Sequence, residues 1–138
     1  MKKITVAVCV DDHLGMTFLG KRVSRDRILV EEFMKMAEGK RVLASPFSKI
    51  LFQNYPSVIL CDNPLDAAQD GDFCFIENIY LRPHVECIGT LVIYKWNRVY
   101  PKDMKLDVSP DDCGMKLVQT TDFVGSSHDK ITKEIYRR

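Results

Sequence analysis

Residues 3–16 read Lys-Ile-Thr-Val-Ala-Val-Cys-Val-Asp-Asp-His-Leu-Gly-Met, and this stretch decides the fold. From Lys3 to Val10 the side chains are short, β-branched and apolar almost without interruption, which suits a strand covered on both faces. At Asp11 the apolar character stops, and Asp12, His13, Gly15 and Gly20 follow. A buried strand that turns polar this abruptly leaves the core there. The expectation is a cleft at its carboxyl end and a loop over Asp11 to Val23.

Working outward, Ser24-Arg25-Asp26-Arg27 opens a helix to about Glu38. Ser24 is read as its N-cap, with Asp26 in the first turn where the helix dipole favours a carboxylate. Leu29, Val30, Phe33, Met36 and Ala37 recur at helical spacing on one face, Glu31, Glu32, Lys35 and Glu38 cover the other, and Gly39 ends the helix. Arg41 to Ala44 reads as a short strand, Ser45-Pro46 starts a short helix through about Phe52, and Pro56 precedes a second buried strand, Ser57 to Cys61. This βαβ rhythm implies parallel strands with right-handed crossovers. Asn63-Pro64 begins a turn or helical stretch to Gln69, and Asp70-Gly71-Asp72 leads into a core strand, Phe73 to Ile76. Glu77-Asn78 then falls at the same carboxyl-end rim as Asp11. From Thr90 onward, extended segments are joined by turns with no crossover helix, so the remainder is expected to add antiparallel at the sheet edge.

Composition narrows the function. The 138 residues suffice for one domain with a core that needs neither disulfide nor metal. Lys plus Arg total 20 against 19 for Asp plus Glu, a net charge of +1 that supplies no global field for nucleic acid or anionic membrane. No apolar run approaches the roughly 20 residues of a membrane span, and the first residues lack a signal-peptide pattern, so a cytoplasmic location is expected. The five cysteines Cys9, Cys61, Cys74, Cys87 and Cys113 are read as reduced, mostly buried thiols without a CxxC pair. His13, His84 and His128 form no HxH or HExxH, which gives metal chemistry no local support.

The order of elements and several motifs resemble dihydrofolate reductase. Val10-Asp11-Asp12-His13-Leu14-Gly15-Met16 is similar to that family's strand followed by V-D-x-x-x-G-M. Phe33-Met34-Lys35-Met36-Ala37-Glu38-Gly39-Lys40-Arg41-Val42 resembles its folate-side helix and following strand. Ser109-Pro110-Asp111-Asp112 and Ser127-His128, with Arg137-Arg138 at the end, resemble its closing hairpin. The resemblance implies a three-layer α/β fold: a mostly parallel central sheet, flanking helices and an antiparallel C-terminal hairpin. The last third also resembles short bacterial proteins labelled ribonuclease Z, but this chain lacks the HxHxDH run that binuclear zinc chemistry needs.

Against the reductase pattern, the departures fall on the chemistry. The family's helix acid, four residues before the phenylalanine matching Phe33, is here Leu29, and Asp26 lies a turn earlier. Gly20-Lys21-Arg22 stands roughly where the family has Met-Pro-Trp. Ser48 matches the residue that holds the dinucleotide, but Pro46 replaces the basic residue and Glu77-Asn78 replaces the Gly-Gly pair that lets backbone approach the pyrophosphate.

Other features are read structurally. Asp11 and Asp12 are adjacent on an extended chain and diverge, which suits turn formation more than a paired-carboxylate site. Trp96-Asn97-Arg98 is read as tryptophan packed on the core beside a cation, and Ser126-Ser127-His128 as a support for the first loop. Neighbours on a tight turn cannot supply nucleophile, base and orienter at once.

The sequence therefore points to a reductase-like domain without reductase chemistry. It binds a small anionic ligand or a partner at the remnant cleft, with Asp11, Arg22, Arg25, Arg27, Ser48 and Asn78 as candidates and no cofactor expected. Three alternatives stay open: a divergent reductase holding NADPH, with Asp26 as proton donor; a protein interaction module at an exposed hairpin edge around Trp96 and Tyr100; and, weakest, a ribonuclease-type hydrolase.

Overall fold

The computed structural model describes every residue from Met1 to Arg138. Strand β1 (Ile4–Val10) is followed by a hairpin of β2 (Gly15–Phe18) and β3 (Lys21–Arg22), then helix α1 (Arg27–Met36) and β4 (Val42–Ala44). A 3-10 segment, Pro46–Phe52, leads to β5 (Ile59–Leu60), α2 (Pro64–Ala67) and β6 (Phe73–Phe75). A second 3-10 segment, Arg82–Cys87, precedes β7 (Ile88–Lys95), β8 (Met104–Lys105), β9 (Lys116–Phe123) and β10 (Ile131–Arg137).

Seven strands form one sheet in the order β5-β4-β6-β1-β7-β10-β9, with β1 at its centre. The alternation of side chains along β1 explains why both faces are apolar. Ile4, Val6, Val8 and Val10 enter one core with Cys74, Leu91 and Ile93, while Ala7 enters the other with Phe33, Phe75, Val92 and Tyr94. Phe33 of α1 sits among Phe75, Phe73 and Phe52, with ring centroids at 5.1, 6.3 and 6.4 Å. The opposite side of the helix is tied down as well: Glu32 accepts from Tyr94 Oη and Lys133 Nζ, which joins α1 to β7 and β10.

Four expectations are corrected. The segment after Asp11 is not a plain loop, because β2 pairs with β3 and with β8 in a small separate sheet. Ser57 to Cys61 is not a buried strand: β5 is an edge, paired only with β4, and Ile59 and Leu60 are each 39% exposed. The antiparallel addition starts one strand later than expected, since β7 runs parallel to β1. The stretch Ile76 to Cys87 suffices as crossover without an α-helix, and only β10 and β9 add antiparallel beyond it. Finally, the N-cap of α1 is Asp26, not Ser24. Asp26 has extended backbone (φ −154°, ψ 126°), and its carboxylate accepts from the N–H groups of Ile28 and Leu29.

Candidate functional site

The expected rim forms at the carboxyl ends of β1 and β6, and three buried carboxylates organise it. Asp11, at the end of β1, is 2% exposed. Its Oδ1 accepts from Gly15 N at 2.7 Å and His13 N at 2.9 Å, and its Oδ2 from Tyr100 N at 2.9 Å and Lys102 Nζ at 2.8 Å. Burial pushes this carboxyl up, but the Lys102 ammonium and the three N–H groups outweigh it and bring its pKa down to about 2. Gly15 is required for this packing: a Cβ there would lie 2.5 Å from Lys102 Cδ and 2.9 Å from Asp11 Oδ1. Both Asp11 oxygens are thus engaged within the protein, so this candidate is a staple between β1 and the segment before β8.

Glu77 follows β6 and is 8% exposed. Arg22 of β3 grips it bidentately, Nε to Oε1 at 2.9 Å and Nη2 to Oε2 at 3.0 Å, and Ser48 Oγ donates to Oε2 at 2.6 Å. The same guanidinium donates to the Phe47 carbonyl at 2.8 Å and lies over the Phe47 ring, 4.7 Å from its centroid. Ser48 is fully buried in this contact, whereas Asn78 is exposed and accepts from Ser45 Oγ at 3.4 Å. The structure therefore brings together Arg22 and Ser48, through a glutamate that the sequence had marked only as a departure.

The third carboxylate is Asp26. Beyond the two helix N–H groups it accepts from Ser126 N at 2.9 Å, Ser127 N at 2.8 Å and His128 Nδ1 at 3.0 Å, so the Gly125–Asp129 turn is bound directly to the helix end. Burial raises its pKa, but the N–H groups of Ser126 and Ser127, the imidazole and Leu29 N–H hold it well below the usual carboxylate range. Gly125 makes the approach possible, since a Cβ there would stand 2.2 Å from Asp26 Oδ2. His128 itself is 4% exposed and stacks on Trp96, with ring centroids 4.5 Å apart and planes at 25°. Its Nε2 faces Ser24 Oγ at 3.0 Å and Tyr100 Oη at 3.1 Å. Both Asp26 oxygens are thus engaged within the protein, and Trp96 is 2% exposed. Ser126-Ser127-His128, expected to support the first loop, is instead bound mainly to the helix N-terminus, with His128 alone reaching Ser24.

Two clefts border this network. One, of about 370 Å³ between α1 and the 3-10 segment Pro46–Phe52, includes Arg25, Arg27, Asp26, Glu31 and Tyr55 in its lining. Its cations are matched by acids, Arg27 binding Glu31 at 2.7 Å. The other, of about 400 Å³, is lined by Gly20, Lys21, Arg22, Ser24, Arg25 and Phe47. It carries three cations and no carboxylate on its wall. With Glu77 behind Arg22 and Asp26 beside Arg25 counted, three cations against two acids leave the local charge at about +1, so this cleft is where an anion is favoured. Arg25 borders both clefts. No group of three or more His, Cys, Asp or Glu side chains is placed to hold a metal ion, and no helix is long and apolar enough to cross a membrane.

Sequence reasoning missed Lys102, Glu77 as a partner of Arg22, and Ser24 as a partner of His128. The only signal for the last was the polar composition of both segments, since the two residues lie 104 positions apart.

No family model matches the chain, and no curated protein does. Among solved structures it is similar to a dihydrofolate reductase from Enterococcus faecalis complexed with NADP(H) and RAB-propyl. The TM-score is 0.69 over 99% of this chain and 96% of that one, at 11% sequence identity. The chain has the α/β fold of the dihydrofolate reductases. At 11% identity the likeness carries the fold and nothing further.

Proposed function

We propose that this is a reductase-like protein without reductase chemistry, and that it binds a small anionic ligand in the cleft between Lys21, Arg25 and Phe47. The observation that carries the reading is the charge of that cleft, three cations with no acid on its wall. Of the six sequence candidates, Arg22 and Arg25 line it, while Arg27, at the start of α1, lines the other cleft and binds Glu31. Ser48 holds the glutamate behind Arg22, and Asp11 and Asn78 lie outside its lining.

The absence of pteridine chemistry rests on residues. At the helix position where the resemblance puts an acid, Leu29 is 1% exposed and packed in the core, and Asp26 is held ionised. The residues also do not fit NADPH in the manner the resemblance implies. The Ser48 hydroxyl that would meet the dinucleotide donates to Glu77, Pro46 offers no charge, and Glu77 and Asn78 put side chains where backbone has to approach a pyrophosphate. A second reading, a divergent NADPH-dependent reductase, is favoured only by the solved neighbour, itself a complex with NADP(H).

A thermal-shift titration at fixed ionic strength separates the two. Inorganic pyrophosphate is expected to raise the melting midpoint of the wild-type protein, by about 2.7 kcal/mol of stabilisation at a hundredfold excess over its dissociation constant, and Arg25→Ala is expected to weaken it. NADPH binding that pyrophosphate does not displace would instead establish the reductase reading.

A further inference from the structure

We propose that Ser24, His128 and Asp26 act as nucleophile, general base and orienting carboxylate, and that they hydrolyse small anionic carboxylic esters in the cationic cleft. The anionic character of the substrate rests on the ligand reading above; the nucleophile does not. The geometry is that of an activated serine: Ser24 Oγ lies 3.0 Å from His128 Nε2, and His128 Nδ1 lies 3.0 Å from Asp26 Oδ2. The three residues come from the end of the β2–β3 hairpin, the start of α1 and the turn before β10, so their convergence is a tertiary feature of the fold.

The tautomer follows from the partners. Asp26 is an acceptor only, so the proton on His128 sits at Nδ1 and the Nε2 lone pair is left to receive one. Ser24 Oγ and Tyr100 Oη lie 3.0 and 3.1 Å from that nitrogen. Ser127 is excluded as nucleophile because its hydroxyl lies on the Nδ1 side and donates to the Arg25 carbonyl at 2.9 Å. The stacked Trp96 ring fixes the plane of the imidazole.

Ser24 is half-buried and lines the cleft of about 400 Å³, where Phe47 is the single apolar residue. A cleft of that size and lining suits a short polar acyl group and excludes a long apolar chain. The N–H groups of Ser24 and Arg25 have no acceptor within the chain, and the Lys21 and Arg25 side chains on the cleft wall supply positive charge for a developing oxyanion. In the reaction, Ser24 Oγ bonds to the ester carbonyl carbon, its proton passes to His128 Nε2, and the carbonyl electron pair moves onto oxygen. Collapse breaks the carbon–oxygen bond of the alcohol, which leaves with the Nε2 proton. A water then attacks acyl-Ser24, gives its proton to Nε2 and releases the acid as Ser24 recovers that proton. The sum is ester plus water to acid plus alcohol, and no oxidant or cofactor is needed.

The test uses the full chain, a fluorophosphonate and two esters, mono-4-nitrophenyl succinate and 4-nitrophenyl acetate. Expected are one phosphonyl adduct mapped by mass spectrometry to Ser24, succinate ester turnover faster than acetate ester turnover, and loss of about a hundredfold or more of that turnover in Ser24→Ala. Ser24→Ala removes one hydroxyl from a half-buried position, and its melting curve establishes that it folds. Absence of an adduct on Ser24, or wild-type turnover by Ser24→Ala, overturns the triad even where pyrophosphate raises the melting midpoint. An adduct on Ser24 with equal turnover of the two esters supports the nucleophile and overturns the anionic substrate.

Discussion

Asp26→Asn isolates what the buried carboxylate does beyond capping a helix. Asparagine caps as well as aspartate, so capping alone predicts a change of a few tenths of a kcal/mol. The structure predicts much more. Oδ1 accepts from the N–H groups of Ile28, Leu29 and Ser126, and Oδ2 from Ser127 N–H and His128 Nδ1. An amide that keeps its oxygen toward the helix turns an NH2 group on Ser127 N–H and His128, so two buried donors lose their acceptor. At about 1–3 kcal/mol for each, the loss is about 2–6 kcal/mol, a large part of the stability of an ordinary domain. Urea denaturation at pH 7, with slopes compared to confirm the same transition, measures it.

Acid supplies an independent check. Asp26 is held below its ordinary pKa of 3.8, so its stabilisation is fully present above that pH and is lost as pH falls through the lower folded value. The gap between wild type and variant should therefore narrow on acidification below pH 4. A difference under about 1 kcal/mol at pH 7, well short of what two orphaned donors cost, would refute the reasoning. So would a gap that widens below pH 4.

Three further outcomes are expected. Arg22→Ala leaves the Glu77 carboxylate buried with only Ser48 beside it and should cost about 2–4 kcal/mol in urea melts, somewhat below a fully buried pair because the Arg22 side chain is 20% exposed; a loss under about 1 kcal/mol would mark the pair as an ordinary surface bridge. Asp11, brought down to about 2 from 3.8, should contribute about 2 kcal/mol that is complete above pH 4 and lost as pH falls through 2, and melts of Asp11→Asn against pH should lack that acid limb. Leu29→Asp restores the acid of the reductase pattern at a position 1% exposed, and should destabilise by more than about 3 kcal/mol without producing dihydrofolate-dependent NADPH oxidation, followed by absorbance.

The central elements were legible because their signals are local. An unbroken β-branched run gives β1, and helical spacing of Leu29, Val30, Phe33 and Ala37 gives α1. What stayed illegible was settled by pairing. Ile59 and Leu60 have a core strand's composition, yet only one neighbour binds β5, so they stay exposed. Gly15–Phe18 is too short to show an alternation of its own and becomes a strand because β3 and β8 flank it. Ser24 and Asp26 are both good N-caps by residue type, and the choice is made by tertiary partners: His128 takes the serine, and the turn N–H groups add to the helix N–H groups on the aspartate. For the site, the basic residues were readable as a cluster. Which of them kept free charge was not, because Glu77 lies 55 positions from Arg22 and Glu31 one turn from Arg27.

Asp11, Asp26 and Glu77 together fasten the segment that borders the cationic cleft. Each is buried, and a charge in that position is tolerated only if it is fully paired. Each pairing also crosses a long stretch of chain: Asp11 to Lys102, Asp26 to His128, Glu77 back to Arg22. The segment from Asp11 to Asp26 is thereby fastened at its beginning, near its middle and at its end, and moving it outward would expose or orphan a buried charge at one of the three. A site that must open to admit a large cofactor draws its mobile loops from weakly held segments, and this one is strongly held. The open space that remains lies outside the fastening, against Lys21, Ser24 and Arg25. That space can be filled without breaking any of the three buried pairs.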